Sequence, residues 1–295
     1  MAGFHPAGSH RIMNRLFVDN LTVIDFAYLD AHRGLVGESW IVDIELAGEL
    51  NEAGMVFDFG HVKSTIKAHI DEQVDHRLLI PVDCSGLQWL DPQQPGHLRW
   101  HLEDGTWIEH RAPAQAVTAV PGEALERQVI ADQLSDSLQR ILPDNVRNVR
   151  INLRLEAIEG AYYHYAHGLK KHDGNCQRIA HGHRSRIRIL RNGQQAPDLE
   201  HYWADRWRDI YLATAEDRVE TFEDGDVTYH RFRYDSDQGH FEIALPAART
   251  EVMGPDTTVE WIACYLRDET RKFEPENRIE VYAFEGVNKG AIAEG

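Results

Sequence analysis

Three histidines in one short segment could bind a metal ion. His181 and His183 are two residues apart, which on a strand puts both imidazoles on one face, and His167 lies on the preceding predicted strand. Three imidazoles with one open position are typical of a catalytic zinc site, because a structural site fills all four positions. The spacing therefore predicts zinc as a cofactor, with His164 and His172 as alternatives for the third ligand.

Cys176 lies between these histidines and could be a reactive thiol. Its surroundings are basic, with Asp173 as the single acid, and positive charge together with a nearby metal favours the thiolate. A buried structural cysteine is the alternative. The cations could bind a phosphorylated or polyphosphate substrate, or the arginines at alternating positions could form a solvated outer face of a strand. The basic residues are Lys170, Lys171, Arg178, Arg184, Arg186, Arg188 and Arg191.

A second candidate group lies far upstream, where Asp75 directly precedes His76. An aspartate beside a histidine can orient the imidazole and increase its basicity for proton transfer. The dipeptide alone carries little information, so its meaning depends on what the fold places beside it.

The elements that must position these residues occur in the same order twice. The first copy has strands, a helix opening at Asp58, a hairpin with Asp-Gly at its tip, where a type I′ turn is expected, then a second helix and an alternating strand. The predicted ranges are strands 15–24 and 40–46, the hairpin 97–111 and the helix 121–141. The second copy has strands 162–167 and 184–190, a helix 199–219, a hairpin 229–243, a helix 257–272 and a closing strand.

The two copies align best from hairpin to helix, where Pro113 matches Pro246 and Pro121 matches Pro255. We interpret the chain as two units, residues 1–159 and 160–295, joined near Glu159. Chance similarity of generic α+β patterns is the alternative.

Composition limits the possible partners. The chain has 295 residues, with 31 Lys and Arg against 48 Asp and Glu, so its formal charge is −17. This charge argues against nucleic-acid and membrane-surface binding, since both need a basic face. The N-terminus lacks an apolar signal region, and no apolar run approaches the ~20 residues of a membrane span, so a cytoplasmic protein is expected. Three distant cysteines without a C-x-x-C make a disulfide framework improbable.

Further motifs are divided between the two halves. The second half carries Y-A-H-G-L, Cys176, H-G-H, P-D-T-T-V-E at 255–260 and A-F-E-G around Glu285, and the first carries G-M-V-F-D-F-G-H-V-K and D-H-R-L-L. Together they resemble the 6-pyruvoyltetrahydropterin synthase and 6-carboxytetrahydropterin synthase family. That family has A-A-H, a Cys before H-G-H, G-x-V-x-D-F-x-x-L-K, D-H-x-x-L-N, P-T-x-E and a late strand ending in Glu. Hairpins near 83–112 and 222–243 look like insertions.

The resemblance implies a fold of class α+β. It would consist of two tandem tunnelling-fold units, each an antiparallel four-stranded sheet with two helices on one face, which assemble into a barrel. Two units cannot close such a barrel alone, and exposed sheet edges favour association, so a homo-oligomer is expected.

The resemblance also implies an activity, that of a zinc-dependent lyase acting on 7,8-dihydroneopterin triphosphate, with a place in queuosine biosynthesis. Zinc would bind through His167, His181 and His183 and acidify the substrate's side-chain hydroxyls. Cys176 would take one proton, and His76, held by Asp75, would exchange another. Glu285 would anchor the pterin, because its strand parity matches the closing strand's apolar positions. The implied substrate-binding residues are Glu285, Thr257, Thr258, Lys170 and Arg178.

The departures from the family pattern suggest one composite site per chain. In the second half, E-D-R-V-E at 216–220 stands where the family has D-H-x-x-L. In the first half, D-F-A-Y-L-D and G-E-S-W occupy the positions of the family's metal-binding histidines. The first half also has Ile80 in place of the family's Asn and P-G-E in place of P-T-x-E. Each half thus lacks what the other retains. Whether the Asp75-His76 pair meets the zinc within one chain or across chains stays open.

Two other functions remain possible. The chain could bind zinc and a pterin without turnover, as an assembly partner or sensor, or it could be a zinc lyase or hydrolase for another substrate on the same fold. The sequence also leaves open whether a synthase would form the 6-carboxy or the 6-pyruvoyl product.

Overall fold

The structure is a computed structural model that describes residues 13–295, with the backbone alone for residues 61–63. Among the described residues, none of the helices has the length and apolar character needed to cross a bilayer. The strands are β1 (Asn14–Asp30), β2 (Gly34–Gly48), β3 (Leu78–Pro81), β4 (Leu87–Trp89), β5 (Leu98–His101), β6 (Trp107–Arg111), β7 (Val117–Val120), β8 (Val146–Arg154), β9 (Tyr162–His167), β10 (His181–Arg191), β11 (Gln194–Gln195), β12 (Ile210–Thr214), β13 (Arg218–Asp224), β14 (Val227–Ser236), β15 (Gly239–Pro246), β16 (Thr250–Met253), β17 (Ile279–Phe284) and β18 (Gly290–Glu294).

The helices lie between the strands of each half. The first helical segment changes from α to π geometry and back, and each half has one longer helix near its end. They are α1 (Phe59–His61), a π-helical turn (Val62–Ile66), α2 (Lys67–Gln73), α3 (Arg127–Gln139), α4 (Pro197–Arg206) and α5 (Val259–Phe273).

Two of the three sheets share one topology. The sheet of the first half has the order β7-β3-β1-β2-β8, and the sheet of the second half has β16-β12-β9-β10-β17, with β18 added at the end and β11 beside β10. In both, the central hairpin is antiparallel, one neighbour joins it antiparallel, and two short strands join it parallel.

The registers of the two sheets also correspond. Ala27 pairs with Leu78 on one side and with Gly37 on the other, as Ala166 pairs with Tyr211 and Gly182. Leu78 in turn pairs with Val117, as Tyr211 pairs with Thr250. Four residues before Val117 and Thr250 lie Pro113 and Pro246, which are therefore equivalent positions of the two halves, as the sequence comparison predicts.

Apolar residues four positions apart fix one long helix on each sheet. In α3, Ile130, Leu134 and Leu138 are buried in the core of the first half. In α5, Ile262 and Leu266 are buried in the core of the second. This spacing places each set on one helix face, so that each helix covers one side of its sheet and leaves the other side for contact between the halves.

The third sheet is built from both halves. Its order is β13-β14-β15-β6-β5-β4, and β15 of the second half pairs antiparallel with β6 of the first, with Ile243 opposite His110. Trp107 stacks on Tyr229 and Phe222 across this sheet. The two hairpins that look like insertions therefore join the halves into one structure.

The central hairpins of the two halves meet where two glycines cross. A Cβ atom placed on Gly37 would lie 1.8 Å from the Tyr165 carbonyl oxygen, and one on Gly182 would lie 2.6 Å from the Gly37 Cα atom. Only residues without a side chain allow the backbones to approach so closely. This crossing brings β1 and β2 against β9 and β10, the strands that carry the three histidines.

The α+β class predicted from the sequence is confirmed, but the sheets differ from the prediction. Strands β9-β10-β17-β18 do form a four-stranded antiparallel sheet. Each half also has two parallel strands on one side of its central hairpin that the sequence analysis does not predict. These are four or five residues long, and so short an apolar run does not show whether it is strand or helix. Assembly into a barrel stays a prediction.

The predicted helix 199–219 is too long, because α4 ends at Arg206. Asp209 has a left-handed φ of 56°, which a helix cannot continue through, and the buried strand β12 follows at once. The predicted helix 121–141 likewise begins only at Arg127. Asp58 acts as predicted at a helix start, where its carboxylate accepts a hydrogen bond from the Gly60 amide at 2.7 Å.

The predicted hairpin near 97–111 is confirmed by the pairing of β5 with β6, but its turn is not of type I′. Gly105 has a positive φ of 86°, whereas Asp104 is not among the residues with positive φ, which a type I′ turn requires at both central positions. Instead the Asp104 carboxylate accepts a hydrogen bond from the Thr106 amide at 2.9 Å.

Candidate functional site

The three histidines predicted to bind a metal form a buried cluster. His167 ends β9 and pairs directly with His181, the first residue of β10, and His183 follows on the same face. Each is no more than 1% exposed. One ring nitrogen of each histidine lies within 4.8 Å of one ring nitrogen of each of the other two. The Nε2 atoms of His167 and His183 are 3.3 Å apart.

The Nδ1 atom of each histidine faces an oxygen. Backbone carbonyls and a carboxylate can only accept, so these contacts place the ring proton on Nδ1 and leave each Nε2 with a lone pair. Two lone pairs 3.3 Å apart repel each other unless a cation lies between them. The contacts are His167 with the Thr257 carbonyl (3.0 Å), His181 with the Arg178 carbonyl (2.8 Å) and His183 with Asp25 Oδ1 (3.2 Å).

The cluster fits a zinc ion. Tetrahedral zinc with Zn–N bonds of ~2.05 Å separates its ligand nitrogens by about 3.4 Å, close to the 3.3 Å between His167 and His183. Burial holds the pKa of His167 and that of His181 well below the usual value, so both rings are neutral, as metal ligands must be. Oxygen partners on the far ring nitrogens are the usual surroundings of metal-binding imidazoles.

Asp25 belongs to the first half, and the sequence analysis did not assign it a role. It is 3% exposed, accepts a hydrogen bond from the Ser39 hydroxyl at 2.5 Å and lies 3.2 Å from Lys289 Nζ. Burial alone would raise the pKa of its carboxyl, but His183 and Lys289 hold that pKa below its usual range. An acid inside the apolar strand V-I-D-F-A was the available signal.

The Asp75-His76 pair lies against the histidine cluster within the same chain. His76 Nδ1 is 2.6 Å from Asp75 Oδ2, and the His76 ring centroid is 5.0 Å from that of His181. His76, Cys176 and His181 offer a second set of ligand atoms within 4.8 Å of one another. The first half therefore supplies the Asp-His pair, and the second supplies the cysteine and the three histidines.

The backbone around His76 fixes this arrangement. His76 has a left-handed φ of 54°, and its amide donates to the Asp25 carbonyl at 2.6 Å. The Asp25 amide donates in return to Asp75 Oδ1 at 2.8 Å. Burial would lower the pKa of His76, but Asp75 and Cys176 raise it to about 10.

Two of the predicted substrate-binding cations, Lys170 and Arg178, bind acceptor oxygens of this chain. Lys170 Nζ lies 2.5 Å from Asp217 and 2.8 Å from Glu216. Arg178 is buried, and its guanidinium donates to the carbonyl of His76 at 3.3 Å. Arg178 thus contacts the backbone of the Asp75-His76 pair.

Of the other predicted substrate-binding residues, Thr257 contacts the cluster directly, and Glu285 is connected to it through Lys289 and Asp25. Thr257 is buried, with its carbonyl on His167, and Thr258 caps α5 by accepting from the Trp261 amide at 3.5 Å. Glu285 directly follows β17, and Lys289 bridges it, at 3.7 Å, to Asp25. Their roles toward a substrate stay predictions.

The remaining predicted cations do not converge on the cluster. Arg184, Arg186 and Arg188 stack instead on aromatic rings of β9 and β17, at 4.3, 4.4 and 3.7 Å from the ring centroids. The alternative third ligands also lie elsewhere: His164 binds the Gly37 carbonyl, and His172 is exposed.

The corresponding positions of the first half contain no such cluster. Counting outward from the equivalent Ala27 and Ala166 matches Tyr28 with His167, Val36 with His181 and Glu38 with His183. The predicted match of G-E-S-W to His-Gly-His is therefore one residue late. Burial raises the pKa of Glu38 to about 7.

The prediction that 216–220 replaces the Asp-His pair is wrong. The registers match His76 with Asp209, which also has a left-handed φ, and Asp75 with Arg208. Counting along the sequence missed this because the predicted helix 199–219 includes β12, the strand whose pairing sets the match. At the equivalent site Arg33 binds Asp209 through two hydrogen bonds, at 2.5 and 3.0 Å.

Comparison with known proteins finds a family model that matches the first half of the chain. The family model described as "6-pyruvoyl tetrahydropterin synthase" matches residues 9–152. The first half of the chain is therefore similar to the 6-pyruvoyl tetrahydropterin synthase family. The matched residues contain Asp75 and His76, whereas the three clustered histidines and Cys176 follow them in the chain.

Two archaeal relatives are similar to parts of the chain. A protein of Pyrococcus abyssi named "Putative 6-carboxy-5,6,7,8-tetrahydropterin synthase" is 24% identical over 135 residues, which are 46% of this chain and 77% of that protein. A protein of Pyrococcus horikoshii with the same name is 34% identical over 62 residues, or 21% of this chain and 36% of that protein.

Solved structures of 6-pyruvoyl tetrahydropterin synthase are also similar. The enzyme from Plasmodium vivax has 17% identity and a TM-score of 0.37, covering 48% of this chain and 98% of its own. That from Plasmodium falciparum has 17% identity and a TM-score of 0.36, covering 48% of this chain and 90% of its own.

Proposed function

We propose that this protein is a zinc-dependent pterin synthase, a lyase that acts on 7,8-dihydroneopterin triphosphate to give 6-carboxy- or 6-pyruvoyl-tetrahydropterin. One observation carries the proposal: a chain that resembles this family places Cys176 and the Asp75-His76 pair beside three histidines whose free nitrogens converge. Two proton-transfer groups next to a metal site suit a reaction that moves protons along a polyhydroxylated side chain.

The metal would be held by His167, His181 and His183, and when bound it would supply Lewis acidity to the substrate's hydroxyl groups. Cys176 takes a proton from the substrate's side chain. His76 exchanges a second proton through Nε2, because its Nδ1 is held by Asp75 at 2.6 Å. Asp75 fixes the tautomer and the ring orientation in this role.

Glu285 is proposed to orient the pterin. A carboxylate can accept two parallel hydrogen bonds from the amino group and ring N–H of a pterin, which gives a planar, two-pronged contact. Lys289 lies 3.7 Å from Glu285 and 3.2 Å from Asp25 Oδ2, so it ties this anchor to the carboxylate whose other oxygen faces His183.

We further propose that residues 1–159 and 160–295 are tandem tunnelling-fold units that act together in a closed homo-oligomer. The repeated strand order and register support the two-unit interpretation. Among the described strands β8 and β18 each end their sheet, and such edges pair readily with a further chain.

The test is incubation of the zinc-loaded protein with 7,8-dihydroneopterin triphosphate and mass spectrometry of the product. A 6-carboxy or 6-pyruvoyl product, absent with the Cys176→Ala variant, supports the proposal and also identifies the bond that is broken. Substrate binding without turnover by a protein with one zinc per chain would instead support the non-catalytic function. If the protein neither binds nor converts this compound, the proposed pterin substrate is wrong.

A further inference from the structure

The loop that carries Cys176 is bound by the tip of the β14–β15 hairpin, which lies outside the repeated sheets. At that tip, the side-chain Nε2 of Gln238 donates to Asn175 Oδ1 at 2.8 Å, and the backbone N–H of Gln238 donates to Gln177 Oε1 at 3.2 Å. Tyr234 of β14 donates its hydroxyl to the Gln177 carbonyl at 2.8 Å. The hairpin therefore holds both chain neighbours of Cys176.

Gln238 is also connected to the Asp75-His76 pair. Its Oε1 accepts a hydrogen bond from Arg178 Nε at 3.1 Å, and Nη1 of the same guanidinium donates to the carbonyls of Asp75 at 3.4 Å and His76 at 3.3 Å. These partners of Arg178 are neutral oxygens, so hydrogen-bond direction rather than an ion pair sets the orientation of this buried side chain.

The hairpin tip is itself held by the first half. Gln115 donates from Nε2 to the Gln238 carbonyl at 3.1 Å. Gly239 has a φ of 126°, and a Cβ atom there would lie 2.7 Å from Pro113 Cγ. The side chain of Gln238 therefore projects from a turn whose position is fixed against residues 113–115.

We propose that Gln238 is a positioning residue that sets the Cys176 loop and the Asp75-His76 segment relative to each other. One side chain amide makes both connections, with its nitrogen on the cysteine loop and its oxygen on Arg178. The roles of Cys176 and His76 in proton transfer rest on the proposed function. The inserted hairpin then contributes to the geometry of the reaction without touching the substrate.

The kinetic test compares Gln238→Ala with Asp237→Ala, its exposed neighbour in the same turn. For Gln238→Ala, kcat should fall at least ~10-fold while KM changes less than ~threefold, because misplaced groups weaken the chemical step rather than ground-state binding. Gln238→Glu, which keeps an oxygen toward Arg178 but loses the donor to Asn175, should recover part of kcat. Asp237→Ala should have the same kcat and KM as the parent protein.

A second readout does not depend on turnover. The rate at which iodoacetamide alkylates Cys176, followed by mass spectrometry of its peptide, should change at least ~threefold in Gln238→Ala, roughly the effect of one lost hydrogen bond. Alkylation of Cys84 and Cys264 in the same sample, zinc content and Tm should stay at the parent values. Asn175→Ala removes one connection without altering the hairpin and should change the Cys176 rate in the same direction.

Equal kcat and equal Cys176 alkylation in Gln238→Ala and Asp237→Ala would overturn the proposal. If the parent protein does not convert the pterin substrate, the proposed function fails, and the alkylation rates alone decide whether Gln238 positions the loop.

Discussion

His76 and Cys176 lie 100 residues apart in the chain, yet the fold brings a ring nitrogen of His76 within 4.8 Å of the Cys176 sulfur. Their ligand atoms fall within 4.8 Å of His181, so the two groups proposed to move protons face the same metal position from different halves. A single chain therefore contains every residue of the candidate site.

This arrangement predicts how two inactive variants behave together. His76→Ala should lower turnover by ~10² to 10⁴, the usual effect of losing a general acid or base, and should retain its zinc. Mixing and reassembling His76→Ala with Cys176→Ala should restore no activity, because each chain then lacks one member of its own site. Recovered turnover in the mixture would show that the groups act across chains.

Zinc should be bound by the three clustered histidines. Elemental analysis should give one zinc per chain for the parent protein and for His172→Ala, whose side chain is exposed. His181→Ala should lose both metal and activity, since it removes one of three neutral nitrogen ligands. Two zincs per chain, or zinc retained by His181→Ala, would contradict the assigned site.

Asp25 should tune the metal site from the other half. Asp25→Asn weakens the contact that orients His183, so zinc affinity should fall ~10- to 100-fold, as measured by competition with a chromogenic chelator. Asp43→Asn is the control, because Asp43 binds Arg154 on the neighbouring strand. Equal affinities in both variants would mean that Asp25 does not orient the ligand.

The glycine crossing should tolerate no side chain. Gly37→Ala places a Cβ atom 1.8 Å from the Tyr165 carbonyl, so the hairpins must separate, at a cost of ~1–3 kcal/mol or more in the free energy of unfolding. Gly254→Ala, where a Cβ meets no atom within 4 Å, should change stability little. Urea unfolding followed by tryptophan fluorescence measures both, and a Gly37→Ala midpoint equal to that of Gly254→Ala would exclude the close contact.

Acid should destabilise the protein partly through His110. Burial lowers the pKa of this ring to about 4, and its Nδ1 lies 3.0 Å from the Gly96 carbonyl. The unfolded chain, with a histidine pKa of ~6.5, binds more protons between these values, so stability falls as the pH drops from about 6.5 to about 4.

His110→Asn keeps a donor for the Gly96 carbonyl but has no ionisable group. Its unfolding free energy, measured by urea titration at pH 7 and pH 5, should therefore fall less with acidification than that of the parent protein. Identical pH dependence in both would show that His110 does not remain neutral in the fold.

The sequence predicts those features of the site that depend on local spacing. The two-residue step from His181 to His183 places both rings on one face of β10 whatever surrounds them, and the pairing partner His167 lies on the preceding strand. The Asp75-His76 contact is likewise local. These residues could be named without knowledge of how the halves pack.

Features that depend on register or on packing between the halves could not be predicted. Asp25 approaches His183 only because the hairpins cross at Gly37 and Gly182, and Gln238 reaches the cysteine loop only because two distant hairpins share one sheet. The match of His76 to Asp209 depends on strand pairing rather than on residue counts. Spacing along the chain contains none of this information.

The pairing of β6 with β15 has a consequence for how the protein folds. Its partners, such as His110 and Ile243, are more than a hundred residues apart, so this ladder closes a long loop and must form late compared with the hairpins within each half. The hairpin tip that holds the Cys176 loop is part of that ladder. During synthesis the β6 edge therefore stays unpaired until β15 has emerged from the ribosome, and the contacts of the hairpin tip with the Cys176 loop can form only after that.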